Sequence, residues 1–291
     1  MKILVGYDGS AGAETALTDL HRAGLPPRVE AIVLSVADVW LPPTDAEPSS
    51  RERLSVEVRA ARAQAARILH KARETAQRGA ERLRADFPDW TVHAETVADS
   101  PAWALVKRGD EWGADLTVLG AHGHGALETI LIGSVPEMIL HEVRCSVRVA
   151  RPGLAQPEAP IRLILGIDGS PGAQAACSAI ERRVWPQGTK VRIVSVVDHR
   201  LSVADVSVTQ LVEAAANDLI RAGLRVTTLA TEGDPKRVLI EEARDLGADC
   251  IFVGASGLAR RGLFRLGTVS SAVAARADCS VEVVREAPRQ A

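Results

Sequence analysis

Two short patterns in this chain have the residue types and spacing to hold a phosphate. The first is Gly120-Ala121-His122-Gly123, nine residues, then Gly133-Ser134; the second is Gly254-Ala255-Ser256-Gly257, nine residues, then Gly267-Thr268. Glycine permits positive φ and lets backbone N–H groups come close to a ligand, and a helix N-terminus adds unpaired donors and a dipole that favours an anion. The hydroxyl of Ser134 or Thr268 can cap such a helix and also donate to a phosphate oxygen. Upstream of each pattern stands an Asp-Gly-Ser, at Asp8 and at Asp168. A carboxylate there can accept from ribose hydroxyls or help hold a metal ion. Asp-Gly-Ser is equally a turn that opens a helix, and that alternative stays open.

Competing chemistries find little support. No Gly-Lys dipeptide occurs, so there is no Walker A loop, and Gly123-His124-Gly125 runs on to Glu128 where a dinucleotide fingerprint needs Gly or Ala. His122 and His124 lack a third ligand nearby and read as loop residues rather than a metal site; His141 is matched by Ala275 in the second copy. Cys145, Cys177, Cys250 and Cys279 stand singly, without a CxxC pair, and read as small buried hydrophobes.

The elements that position these residues follow from an internal repeat. ILVGYDGSAGA from Ile3 returns as LILGIDGSPGA from Leu163 at an offset of 160, which places Asp8 over Asp168. Gly113-Ala114-Asp115, Gly120 and Cys145-Ser146-Val147 return at an offset of 134, so the second copy is 26 residues shorter between its second strand and the Pro101/Pro235 position. Two long copies mean a duplicated domain rather than a solenoid. The stretch with Pro152, Pro157 and Pro160 reads as a linker, 152–160, between domains 1–151 and 161–285, with a tail at 286–291.

Within the first copy, strands are expected at Ile3 to Tyr7, Ala31 to Val36, Thr91 to Val97, Leu116 to Leu119 and Ser146 to Ala150, with helices between them. Runs such as Ala-Ile-Val-Leu are apolar on both faces, as central parallel strands must be. The fold class is therefore α/β, two tandem doubly wound five-stranded parallel-sheet domains of Rossmann-like type. The terminal strands, Ser146 to Ala150 and Ser280 to Val284, are expected to pair edge to edge and make an intramolecular pseudo-dimer. Ser100-Pro101 and Asp234-Pro235 predict capped helix starts, and Ser134-x-x-Glu137 a capping box. Leu54, Val58, Ala61, Ala65, Ile68, Ala72 and Leu83 predict one apolar stripe on a long second helix. Ten Lys or Arg against four Glu between Arg51 and Arg84 give that helix a basic outer face, a solvated surface or a dock for an acidic partner.

Composition bounds the partners. Lys plus Arg number 35 against 37 for Asp plus Glu, a net charge of −2 that argues against a dedicated nucleic-acid binder, and 3% aromatic residues argue against a stacking platform for single-stranded nucleic acid. No apolar run is long enough for a membrane helix and the chain opens on a strand rather than a signal peptide, so a cytoplasmic location is expected.

Strand-Asp-Gly-Ser, helix, strand-Ser-Val, then Gly-2x-Gly-9x-Gly-Ser/Thr resembles the universal stress protein family, and its tandem two-domain members in particular. The resemblance covers about residues 1 to 151 and 161 to 285. It implies binding of ATP, with Mg²⁺ an accompanying ion, by a regulatory protein without dedicated catalysis that assembles as a pseudo-dimer or homodimer. The ribose would meet Asp8 and Asp168, and the adenine the backbone at Val36 and Val196. Phosphates would be cradled by Gly120, Gly123, Gly133, Ser134 and Val135, and in the second copy by Gly254, Gly257, Gly267, Thr268, Val269 and Ser270. Pro136 replaces the hydroxyl that Ser270 supplies. The first loop carries only Glu128, the second Arg260, Arg261 and Arg265, which favours the second site for a triphosphate. A slow ATP hydrolase and an empty scaffold are the alternatives.

Overall fold

The computed structural model describes residues 1–39, 56–123, 132–153, 159–197, 205–257 and 266–286. In the first half, β1 (Lys2–Gly6), α1 (Ala11–Asp19), β2 (Glu30–Ala37), α2 (Val56–Asp86), β3 (Thr91–Ala98), α3 (Pro101–Trp112), β4 (Leu116–Gly120), α4 (Ser134–Glu142) and β5 (Ser146–Ala150) follow one another. The second half repeats them as β6 (Arg162–Gly166), α5 (Pro171–Glu181), β7 (Lys190–Val197), α6 (Asp205–Arg221), β8 (Arg225–Glu232), α7 (Pro235–Leu246), β9 (Cys250–Gly254), α8 (Thr268–Arg276) and β10 (Ser280–Val284). The strands form one ten-stranded sheet in the order β3-β2-β1-β4-β5-β10-β9-β6-β7-β8. Every pair within a half is parallel. The chain leaves β1 outward to β2 and β3 and then returns to β4, so the winding reverses between β1 and β4. That reversal opens a crevice at the carboxyl ends of the strands, where Asp8 and Gly120 lie.

Local sequence explains the element ends. Ser10 and Ser170 sit in extended backbone before α1 and α5, and each hydroxyl accepts from the N–H three residues on, at Ala13 and Ala173. Asp234 caps α7 through the N–H of Lys236, and Pro235 occupies the first helical position as expected. Three expected caps are not made, at Ser100, Ser134 and Thr268, the last because Gly267 is the cap residue of α8. Ser100 precedes Pro101 without a side-chain bond, and its own N–H is taken by Asp99. Gly133, rather than Ser134, is the cap residue of α4, so Ser134 is already helical and no capping box with Glu137 forms.

The long second helix departs from the expected stripe at its start. Ala65, Ala72, Ala76, Ala80 and Leu83 are buried, but Ala61 is exposed, because the apolar face begins only where the helix reaches the sheet; Leu54 and the Val58 side chain lie outside the described residues. Arg59, Arg67, Lys71, Arg73 and Arg78 make the exposed face basic. The second copy shortens this helix rather than losing it: α6 has 17 residues against 31 in α2.

β5 and β10 pair antiparallel, Val149 opposite Val281, Arg148 opposite Glu282 and Val147 opposite Val283. Strand alternation sends the valines to one face, into a core continuous across both halves. It sends Arg148 and Glu282 to the other, between two separate cores. Arg148, fully buried, meets Glu282 at 3.2 Å and Asp19 at 2.5 Å; Arg183 completes the row on the far side of Glu282. Burial opposes the charge on Arg148, but Asp19 and Glu282 outweigh it and hold its pKa well above the usual arginine value. The seam also carries Arg22–Asp249 at 2.7 Å and Trp185, which packs on Gly24.

The caps give a graded expectation. Ser10→Ala or Ser170→Ala should each lower the unfolding free energy by about 1 kcal/mol. Ser100→Ala, with no cap bond to lose, should change it by less than about 0.5 kcal/mol. Urea denaturation of the three variants checks the order.

Candidate functional site

The site is built twice, at the carboxyl ends of β1 and β4 and of β6 and β9. After β1 the chain turns sharply: Gly9 has φ +77° and Gly169 has φ +83°, conformations that only glycine adopts without strain. In each turn the aspartate folds back on its own loop, Asp8 Oδ1 accepting from Ser10 N–H at 2.9 Å and Asp168 Oδ1 from Ser170 N–H at 2.9 Å. The turn reading of Asp-Gly-Ser is therefore true of one oxygen. The other points at the glycine loop: a Cβ at Gly123 would stand 2.9 Å from Asp8 Oδ2, and one at Gly257 would stand 2.5 Å from Asp168 Oδ2. Any side chain at those two positions would cover the carboxylate.

Gly120 and Gly254 are held to glycine by packing. Neither has positive φ. Each is small because a helix passes over it: a Cβ on Gly120 would lie 2.3 Å from the carbonyl of Gly12, and one on Gly254 would lie 2.3 Å from that of Gly172. The approach is mutual, since a Cβ on Gly12 would fall 1.9 Å from the carbonyl oxygen of His122 and one on Gly172 would fall 2.4 Å from that of Ser256. The first turn of α1 thus lies in backbone contact with the loop after β4, and α5 with the loop after β9. Gly12 and Gly172 were missed as site residues, although both stand two places after the capping serine in the repeated segment.

Gly133 and Gly267 close the loop. Their N–H groups donate to Ala121 at 2.8 Å and Ala255 at 2.7 Å, and their carbonyls accept from Glu137 and Ser271, so each fixes the start of its helix against its strand. Ser134 and Thr268 are exposed at the first helical position, with Val135 and Val269 half-buried behind them. N–H groups in this first turn have no acceptor within their helix and carry the positive end of its dipole. Val36 and Val196 lie near the carboxyl ends of β2 and β7, half-buried on the same core. The structure thus brings Asp8, Gly120, Gly123, Gly133, Ser134 and Val135 to one edge of the sheet, and their counterparts to the equivalent edge of the second half. Ser270 differs: it is buried and donates to the carbonyl of Gly254 at 2.5 Å, so its proton is directed at the strand end. Pro136, buried in its place, has no such bond to make.

His124, Glu128, Arg260, Arg261 and Arg265 lie outside the described residues. Among the described residues no group of three His, Cys, Asp or Glu side chains is placed for a metal ion, and no helix is long and apolar enough to cross a membrane. Burial pushes all four thiols up, Cys177 to about 11 and Cys279 to about 12, so they stay protonated and poorly nucleophilic at neutral pH.

The backbone contacts predict a sharp difference among glycines. Gly120→Ala or Gly254→Ala must separate helix from loop and should cost at least about 2 kcal/mol. Gly133→Ala, whose Cβ would sit 3.4 Å from its nearest neighbour at an ordinary φ of −72°, should cost less than about 1 kcal/mol. Thermal unfolding of the three variants decides the point.

Comparison with known proteins extends the picture. The chain is 43% identical over 65 residues to a universal stress protein of Mycobacterium tuberculosis, a match spanning 22% of this chain and 21% of that relative. It is 31% identical over 137 residues to a putative universal stress protein of Staphylococcus epidermidis, covering 42% of this chain and 82% of the relative. The crystal structure of a universal stress protein from Archaeoglobus fulgidus superposes with a TM-score of 0.69 at 18% identity, over 98% of both chains, and so shares the whole double fold. The sequence profile of the universal stress protein family matches twice, over residues 1–151 and 162–285. With that double match, over nearly its whole length, the chain belongs to the universal stress protein family.

Proposed function

We propose that this protein binds ATP at the carboxyl edge of each half and acts as a nucleotide-dependent regulator without dedicated catalysis. In this reading the domains are 1–151 and 161–285, joined by the linker at 152–160. One observation carries it: the same constellation occurs in both halves, an aspartate oxygen facing a bare glycine beside a helix N-terminus whose first N–H groups lack intrahelical acceptors. Such a set of groups suits a ligand with hydroxyls at one end and phosphates at the other. Asp8 and Asp168 would accept from the ribose and the strand ends at Val36 and Val196 would border the base. The phosphates would rest on the first turns of α4 and α8, with Mg²⁺ arriving on the nucleotide rather than on a protein cage.

The test is nucleotide content after heat extraction, followed by calorimetric titration of ATP with Mg²⁺. Two sites per chain are expected. Asp8→Ala and Asp168→Ala should each weaken one of them by about tenfold to a hundredfold, the range for loss of a hydrogen bond to a charged group. The second site should be the tighter, so Gly257→Asp, which places a like charge against Asp168, should reduce total affinity more than Gly123→Asp beside Asp8. Absence of extracted nucleotide together with absence of binding would overturn the proposal.

A further inference from the structure

We propose that Arg148 and Glu282, with Gly24 and Trp185 beside them, form a pairing code that makes each half of this chain the partner of the other and rejects the pairing of like halves. The offset of 134 relates Val147 to Val281, Arg148 to Glu282 and Val149 to Val283. Exchanging the halves therefore turns the pair Val149·Val281 into Val283·Val147, but turns Arg148·Glu282 into itself. The pseudo-twofold axis of the sheet runs through that pair.

A residue on such an axis meets its own equivalent. Had the two halves stayed identical there, the position would hold two arginines or two glutamates. This chain holds one of each, 3.2 Å apart with side chains 0% and 1% exposed. A seam between two first halves would oppose Arg148 to Arg148, and one between two second halves Glu282 to Glu282, with no water to screen either. Like charges directly opposite on a strand pair are unfavourable, and a buried ion stripped of its partner more so.

The flanking charges extend the code. Asp19 binds Arg148 from the first half, and its equivalent in the second is Ala179; Arg183 binds Glu282 from the second half, and its equivalent in the first is Ala23. Shape repeats the message independently. A Cβ on Gly24 would stand 2.6 Å from the ring of Trp185, so the indole occupies a hollow that only glycine leaves. The residue equivalent to Gly24 is Val184, and the one equivalent to Trp185 is Leu25. Two second halves would drive Trp185 onto Val184, and two first halves would leave the hollow partly filled.

One pair of seam contacts lacks this information, which sets the code apart from general adhesion. Arg151 reaches the carbonyl of Ala274 at the end of α8, and its equivalent Arg285 reaches that of Leu140 in α4, both at 2.7 Å. These two contacts are the same in either direction and would form in a seam of like halves too.

The test uses whole chains. Two variants are prepared, Glu282→Arg and Arg148→Glu, each also carrying Trp185→Leu to remove the shape element, and one is isotopically labelled. Each alone has like charges on the axis when closed on itself. Refolded together from urea, they can exchange partners, so that every axis pair becomes Arg with Glu. Native mass spectrometry should then show a heterodimer at least tenfold more abundant than the homodimer of either variant. Equal abundance would overturn the proposal. Should either variant fail to refold, a neutral variant that removes the flanking charges as well, Asp19→Ala, Arg148→Met, Arg183→Ala, Glu282→Met and Trp185→Leu, provides the reading. Its fraction of exchanged dimer after refolding should exceed that of the unaltered protein at least fivefold, and an unchanged fraction would overturn the proposal.

Discussion

The antiparallel contact of β5 with β10 is the constraint on which the rest of this molecule hangs. Without it each half would end in an exposed strand edge with unpaired N–H and C=O groups. With it, the two five-stranded sheets become one, and the valines at Val147, Val149, Val281 and Val283 join the two halves into a shared apolar layer. On the opposite face the same strands carry Arg148 and Glu282, which keep the two remaining cores apart. Strand periodicity thus assigns the two faces different work: one face adheres through apolar area, which is indifferent to partner, and the other through fixed charge, which is not.

The seam also reaches the candidate sites. Helices α4 and α8 begin at the crevices and end at the seam, where Arg285 and Arg151 from the opposite halves bind their last carbonyls. A cation at a helix C-terminus satisfies orphan acceptors and complements the dipole. Burial lowers the pKa of both arginines, so their charge is held at some electrostatic cost. Each helix whose first turn faces a crevice is therefore anchored by the other half.

At the crevice itself, backbone proximity governs the residue types. The crossing of α1 over the loop after β4 leaves no room for a side chain at Gly12 or Gly120, and α5 imposes the same on Gly172 and Gly254. Gly123 and Gly257 are bare for another reason, since a side chain there would cover the aspartate. Two glycine requirements that look alike in sequence thus have distinct causes, one of packing and one of access. Ser270 shows the reverse: a residue read as a phosphate donor spends its proton on the end of β9.

Much of this was legible in the residues. Apolar runs a few residues long, separated by helical spacing and punctuated by Asp-Gly-Ser and Gly-x-x-Gly, determine the strands, their parallel order and the edge that carries the sites, because period and turn chemistry act locally. Two copies at offsets of 160 and 134 determine the duplication, and the terminal strands announce their pairing because an open edge must be covered. Only the tertiary structure decided that Gly133 rather than Ser134 caps α4, that Ala61 lies outside the apolar stripe of α2, and that Gly12 packs against the loop after β4. It alone placed Arg148 opposite Glu282. The physical reason is the same in each case: these features depend on the distance between segments far apart in the chain, and a pattern read along one dimension carries the period of an element but not what the folded neighbour brings against it.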